Sequence, residues 1–351
     1  MSGRNLYCLL TLTEVNTVSC GRLRLDASRQ GSSNLRVLRM LTIFSTIIPI
    51  FALILFGNLL RRLDRFPADF WRGLELLCYY VLYPALLFIA IVRADFSDLT
   101  FDAILIAMAI GSIVIAAFSL AAWPLLRDRL GIGPPAFSSV FQTTVRWNGF
   151  IAYAVAEKLY PAEGVAVVAL VMAIVIIPIN IESVAVVAWF TDKSPNIGRV
   201  LRQIAINPLI IAAGSALVVR SLPFELPVPA MEFLDYLARA ALGIGLVAIG
   251  AGLRPSDVLR PNLMVFYTSL KKLVLFPVLI VGTAILIGID GPQLSYLALC
   301  AAVPTAMNGY VLARQLGGDA ELYAAIVTCQ TAVSFLSIPA VLAVTAQFSG
   351  G

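Results

Sequence analysis

The chain has 351 residues, 60% hydrophobic and 13% charged, with a net charge of +5 and a mean hydropathy of +0.91. A soluble domain carries about 25% charged residues, so this composition excludes an ordinary soluble protein and indicates an all-α polytopic membrane protein. Histidine is absent, which removes His-based proton relays, His metal sites and His-dependent nucleophiles. Five cysteines (Cys8, Cys20, Cys78, Cys300, Cys329) follow no metal or redox spacing and read as small apolar packers. No metal or cofactor is expected, and the positive charge lies in short loops, where it sets topology rather than binding nucleic acid.

Residues 1–39 differ from the rest. They are polar, Ser/Asn-rich and basic (Arg4, Arg22, Arg24, Arg29, Arg36, Arg39), and they lack the apolar centre of a signal peptide. Met40 opens MLTIFSTIIPIFALILFGNLLRR, a natural start running directly into a span. The segment is expected to be a disordered tail or a mis-assigned start; a real cytoplasmic tail with an odd number of spans is the alternative.

Ten apolar blocks follow, near 41–60, 73–92, 102–126, 135–157, 164–190, 200–219, 230–253, 262–288, 292–316 and 320–346. Many approach the ~20 residues that cross a bilayer as a helix. The odd-numbered connections carry Arg61, Arg62, Arg65, Arg72, Arg127, Arg129, Lys193, Arg199, Arg202, Arg254, Arg260 and Arg314. The even-numbered ones carry only Arg93, Lys158 and Arg220. Positive residues stay inside, so the odd connections are expected in the cytoplasm and both termini outside, in a bacterial inner membrane.

Ten spans divide into five plus five, 40–190 and 200–346, joined by a linker at 191–199. Five is odd, so the second half starts on the opposite side of the membrane, the inverted repeat common in secondary transporters. A shift of 160 residues lays Asn148-Gly149-Phe150 on Asn308-Gly309-Tyr310, and Pro178 close to Pro339. QTTVRWNGF (142–150) and VPTAMNGY (303–310) therefore read as corresponding breaks in spans four and nine. Unwound backbone survives at membrane depth only where protein or a watery cavity covers it. Asparagine is a favoured N-cap, glycine permits unusual backbone, and Pro304 interrupts the ninth helix. Two half-helix N-termini facing one site suit an anion. Intact spans whose asparagines hydrogen-bond neighbouring helices are the alternative.

PIFALILFGNLLRR (49–62), YYVLYPALLF (79–88), AAVPTAMNGYVLARQLGGD (301–319) and QTAVSFLSIPAVL (330–342) together resemble the auxin efflux carrier family. That family includes plant auxin carriers and bacterial permeases for malate or malonate. The resemblance implies ten helices in two inverted five-helix repeats with helices four and nine broken and crossed, as in sodium/bile-acid symporters. It implies a scaffold of spans 1, 2, 6 and 7 that often dimerises, and a transport domain of spans 3–5 and 8–10. Substrate would bind at the crossing between Asn148 and Asn308, with Gly149, Gly309, Pro304 and Thr305 around it. Helix four departs from the plant pattern, with Arg146 and Trp147 where a proline would stand, and the long cytoplasmic loop is missing. The resemblance therefore does not carry auxin over as the substrate.

Charges inside spans cost ~2.5–3.5 kcal/mol on insertion scales, and each needs a reason. Arg146 is placed to grip a carboxylate, with a structural pair or a snorkel as alternatives. Glu182, near Pro178, is a candidate coupling group, unless it is permanently paired with Arg146, Lys271 or Lys272. Lys271 is a second coupling candidate, although one of two adjacent lysines must face away and snorkelling to the cytoplasmic interface is the default for both. Gln142, Thr143, Thr144, Thr305, Gln330 and Thr331 line a polar cavity or bond between helices. GIGLVA (243–248) mimics a dinucleotide fingerprint but lies in an apolar helix without a preceding strand; close helix packing explains it better.

The expected function is secondary transport of a small organic anion, a carboxylate, with proton coupling a candidate. No GxxxxGK[ST] loop for ATP is present. A channel or membrane sensor of the same fold is the alternative. A membrane-embedded enzyme lacks the paired acids or the Ser–His chemistry it would need.

Overall fold

The computed structural model describes residues 43–93, 101–191, 205–223, 226–258 and 262–348, with 198 and 202. The expected tail at 1–39 and most of the linker at 191–199 lie outside the described residues. Among the described residues every regular element is helical.

Seven segments are long and apolar enough to cross a membrane. They are α1 (Ile43–Leu60), α2 (Ala68–Arg93), the stretch Ala103–Leu130, α7 (Ala162–Phe190), α9 (Val228–Gly252), α10 (Leu263–Leu286) and α13 (Ala320–Thr345). Ala103–Leu130 contains most of α3 (Phe101–Ala121) and all of α4 (Trp123–Leu130). The other three apolar blocks form shorter helices. Block six overlaps α8 (Pro208–Ser221). Block four divides into α5 (Pro134–Val145) and α6 (Gly149–Leu159), and block nine into α11 (Gly291–Ala302) and α12 (Gly309–Leu316). Ten blocks and seven long helices differ for this reason.

Local chemistry sets the helix ends. Asn207, Asn262 and Asp319 each cap a first turn, accepting from Leu209 N, Val265 N and Leu322 N at 2.9 Å. Gly131 (φ 64°) and Gly317 (φ 85°) close α4 and α12 in left-handed conformation. Inside α2 and α10, π-helical turns at Cys78–Leu82 and Lys271–Leu275 sit just before Pro84 and Pro277. A proline has no N–H and crowds the carbonyl four residues back, and a wider turn accommodates both.

Packing ties the helices together. α8 and α9 lie on α2, and α1 meets α9 closely enough that Asn58 Nδ2 donates to the carbonyls of Gly250 (3.2 Å) and Leu253 (2.8 Å). α10 lies on α3 and α11, α5 and α6 lie on α7, and α13 packs against α5, α10, α11 and α12, while α2 and α8 also touch α7 and α9 touches α6. Large apolar side chains such as Phe56, Ile113 and Val278 remain exposed on the outside, as a lipid-facing surface requires.

Contacts also sort the connections by end. At one end Arg61 reaches Ala251 O, Arg254 pairs with Glu321, and Ser139 Oγ donates to Asp319 O at 2.8 Å. At the other, Arg93 pairs with Asp235 at 2.7 Å and Tyr160 Oη donates to Ser295 O at 2.9 Å. The first group of contacts lies at or beside connections one, three, seven and nine, and the second at or beside connections two, four, six and eight. In GIGLVA one glycine serves packing: a Cβ on Gly245 would strike the Tyr83 ring, whereas one on Gly243 would meet nothing within 4 Å.

Candidate functional site

The site lies where α5 gives way to α6 and α11 gives way to α12. α5 stops at Val145, and Arg146 is extended (φ −67°, ψ 153°). α6 resumes at Gly149, capped by the Asn148 side chain, which accepts from Ile151 N at 3.2 Å. Opposite, Val303 is extended (φ −74°, ψ 151°) after α11. Pro304 and Thr305 follow without helix, and α12 begins at Gly309.

The two interruptions satisfy each other. Asn148 N donates to Pro304 O at 2.7 Å. Thr305 Oγ1 donates to Thr143 O at 2.6 Å and lies 3.2 Å from Arg146 O. Gln330 of α13 closes the arrangement, accepting from Thr305 N at 3.0 Å and donating to Thr143 O at 3.1 Å. The carbonyls of Thr143 and Arg146 at the end of α5 are therefore met by Thr305 of the other interruption and by Gln330 of α13, which helps to permit non-helical backbone in an apolar interior. Away from this centre, the start of α5 meets the end of α12, since Asp319 N donates to Pro135 O at 3.2 Å. The end of α6 meets the start of α11 through Tyr160 and Tyr296, whose rings stand 4.8 Å apart.

Arg146 and Asn308 lie side by side: Arg146 Nη1 donates to Asn308 Oδ1 at 3.4 Å. Arg146 is 5% exposed and its Nε has no hydrogen-bond partner. Asn148 is buried while Asn308 is exposed. The asparagines thus play different roles. Asn148 caps its helix; Asn308 is itself helical in backbone, caps nothing, and presents its amide beside the guanidinium. The expectation of two equivalent caps is corrected here, because Asn308 already adopts the α conformation and its carbonyl oxygen turns to Arg146.

Glu182 is half-buried in α7, within electrostatic range of Arg146 but not in an ion pair with it, and its Oε1 has no hydrogen-bond partner. Neither Lys271 nor Lys272 snorkels. Lys271 is 4% exposed, donates to Ser119 Oγ at 2.8 Å and lies over the Tyr267 ring. Lys272 is fully buried, its ammonium 4.1 Å from the Phe276 ring centre, with no hydrogen-bond partner. The π turn explains the correction: with more residues per turn, neighbouring side chains point less far apart than in an α-helix.

Thr143 and Thr144 bond back to their own helix, to Ser139 O and Val140 O. Gln142 and Thr331 are buried with side-chain atoms that lack partners. Two participants escaped the sequence reading. Tyr323 of α13 donates to Ala306 O at 2.7 Å, and its ring lies where a Cβ on Gly309 would be. Met172 of α7 occupies the corresponding place at Gly149, with its Cγ and Sδ 2.7 Å from such a Cβ. The only signal for either was a helical position in the span following each Asn-Gly.

Residues 42–342 match the family model described as "Membrane transport protein". The chain is 27% identical, over 86% of its length and 96% of the other, to a Rhizobium meliloti (strain 1021) protein named "Putative malonate transporter". It is 22% identical, over 85% of its length and 95% of the other, to the Escherichia coli (strain K12) protein named "Uncharacterized transporter YfdV". The same figures hold for the Shigella flexneri protein of that name. With the match spanning most of the chain and including both interruptions, the protein is an integral membrane protein that belongs to the membrane transport protein family of the auxin efflux carriers.

Proposed function

We propose that this protein is a secondary carrier that moves a small carboxylate across the cytoplasmic membrane by alternating access. In this reading α5/α6 and α11/α12 are the broken fourth and ninth spans of ten, arranged in two inverted five-helix repeats and crossed at their breaks. The set α1, α2, α8 and α9 acts as scaffold, through which two copies associate. The set from α3 to α7 and α10 to α13 carries the substrate. Odd-numbered connections face the cytoplasm and both termini lie outside.

The observation that carries the reading is Arg146 beside Asn308 at the meeting of the two interruptions. Arg146 is a cation with unused donors, one of them buried without a partner. Asn308 is exposed and offers amide N–H donors, and Asn148 opens α6 with the positive end of its helix dipole. Such a set favours a negative, planar group, and Arg holds a carboxylate in bidentate fashion. The name of the Rhizobium meliloti relative makes malonate the first compound to try. Glu182 is the proposed proton carrier, being an acid in electrostatic reach of Arg146 without a bonded partner at Oε1.

The test is counterflow of labelled malonate, and of other mono- and dicarboxylates, in proteoliposomes, with Asn308→Ala and Arg146→Gln as site variants. Saturable exchange that these variants lose supports the reading. Silence across the panel overturns the carboxylate assignment, and conduction without exchange would indicate a channel.

A further inference from the structure

Three helices present matched faces away from the interruptions. Tyr83, Leu86, Ala90 and Arg93 of α2 recur at steps of three and four. So do Phe150, Tyr153 and Glu157 of α6, and Gly245, Leu242, Ala238 and Asp235 of α9. Each series is one side of a helix. Between the outer parts of these faces lies an open cleft of about 490 Å³, with Arg93, Tyr153, Glu157, Asp235 and Arg239 among its walls. That volume falls in the range of small-molecule sites.

The inner parts of the same faces are closed. The Tyr83 and Phe150 rings stack with centroids 3.4 Å apart and planes 16° from parallel. Gly245 lies against the hydroxyl end of Tyr83, where a Cβ would strike the side chain. No water-sized space remains among Tyr83, Phe150 and Gly245. Phe150 is the second residue of α6, immediately after the Asn148-Gly149 start. The stack therefore stands between the cleft and the helix interruption.

The mouth of the cleft has its own chemistry. Asp235 binds two arginines, Oδ1 to Arg93 Nη1 and Oδ2 to Arg239 Nε, both at 2.7 Å. A guanidinium has five N–H donors, and each arginine spends one on Asp235. Both side chains are more than half exposed, so each keeps donors accessible to a second carboxylate. We propose that this cleft is the substrate's vestibule on one side of the membrane, holding a dicarboxylate at Arg93 and Arg239, and that the Tyr83–Phe150 stack is the gate separating it from the Arg146–Asn308 site.

The inference rests on the carrier reading, but its gate is tested without transport. Single cysteines are introduced at Ala238, in the cleft, and at Leu246, buried in the closed space at the stack, in the full-length protein in proteoliposomes. A membrane-impermeant maleimide is added and each site is read by peptide mass spectrometry. Ala238→Cys should label, malonate should slow that labelling, and Arg93→Gln with Arg239→Gln should abolish the slowing. Leu246→Cys should resist labelling with the stack intact, keep resisting with Tyr83→Phe, and become reactive with Tyr83→Ala or Phe150→Leu. Having two gate variants guards against one failing to fold. An unreactive Ala238→Cys, an already reactive Leu246→Cys, or malonate without effect on labelling would each overturn the proposal. Silent counterflow with the expected labelling would instead remove the site assignment at Arg146 and leave the vestibule standing.

Discussion

The backbone N–H of Asn148 donates to the carbonyl of Pro304 at 2.7 Å, joining the two helix interruptions across the two halves of the chain. Neither group has a partner in its own helix, because Asn148 opens α6 and Pro304 follows the end of α11. Each interruption therefore depends on the other for backbone satisfaction, and damage to one should be felt at both.

Thr305 is the clearest place to measure that dependence. Thr305→Val removes the 2.6 Å bond to Thr143 O while nearly keeping the volume, and should destabilise the protein by ~1–2 kcal/mol. Thr305→Ser should recover most of the loss. Thermal unfolding in detergent distinguishes them, and equal midpoints for all three proteins would refute the clamp.

The two site glycines should respond unequally to alanine. At Gly309 the new methyl meets the Tyr323 ring, which is tied by its hydroxyl to Ala306 O and cannot move without breaking that bond. At Gly149 it meets the end of Met172, a flexible side chain that adapts. Gly309→Ala should lower the unfolding midpoint markedly more than Gly149→Ala, and the reverse order would contradict the packing.

Arg146→Lys keeps the charge but loses the planar fork. If a carboxylate is held there, malonate affinity should fall about tenfold or more, ~1.4 kcal/mol, while Asn308→Ala weakens it less. Binding measured by isothermal calorimetry on purified protein checks this, and unchanged affinity in Arg146→Lys would remove the residue from the site.

Glu182→Gln imitates a permanently protonated carboxyl. If Glu182 carries the coupling proton, the variant should still exchange malonate but lose any acceleration by an imposed pH gradient. Labelled uptake with and without the gradient gives the answer, and a retained response would move coupling elsewhere.

Lys272 is fully buried with no hydrogen-bond partner for its ammonium, a costly arrangement for a charge. Lys272→Met should raise the unfolding midpoint, on the order of 2–4 °C for each kcal/mol gained. Lys271→Met should gain less, because it also forfeits the bond to Ser119. A lower midpoint for Lys272→Met would mean that the lysine has a partner of its own, such as a bound anion.

Membrane character, the ten apolar blocks and the paired Asn-Gly positions were legible in the sequence alone. Each is local: hydropathy over a window, a proline or an asparagine cap acting within one turn, basic residues collected in alternate loops. Tertiary contacts decided the rest. That Asn148 caps and Asn308 does not depends on Arg146 from the other half competing for the Asn308 oxygen. That both lysines of α10 are buried depends on a π turn beside Pro277 and on the helices that cover it. That Gln330 and Thr305 clamp the end of α5, rather than line open space, depends on residues far apart in sequence meeting within 3.1 Å. Periodicity and propensity act over a few residues, whereas the partner that satisfies a buried polar group is chosen by whichever helix the fold brings against it.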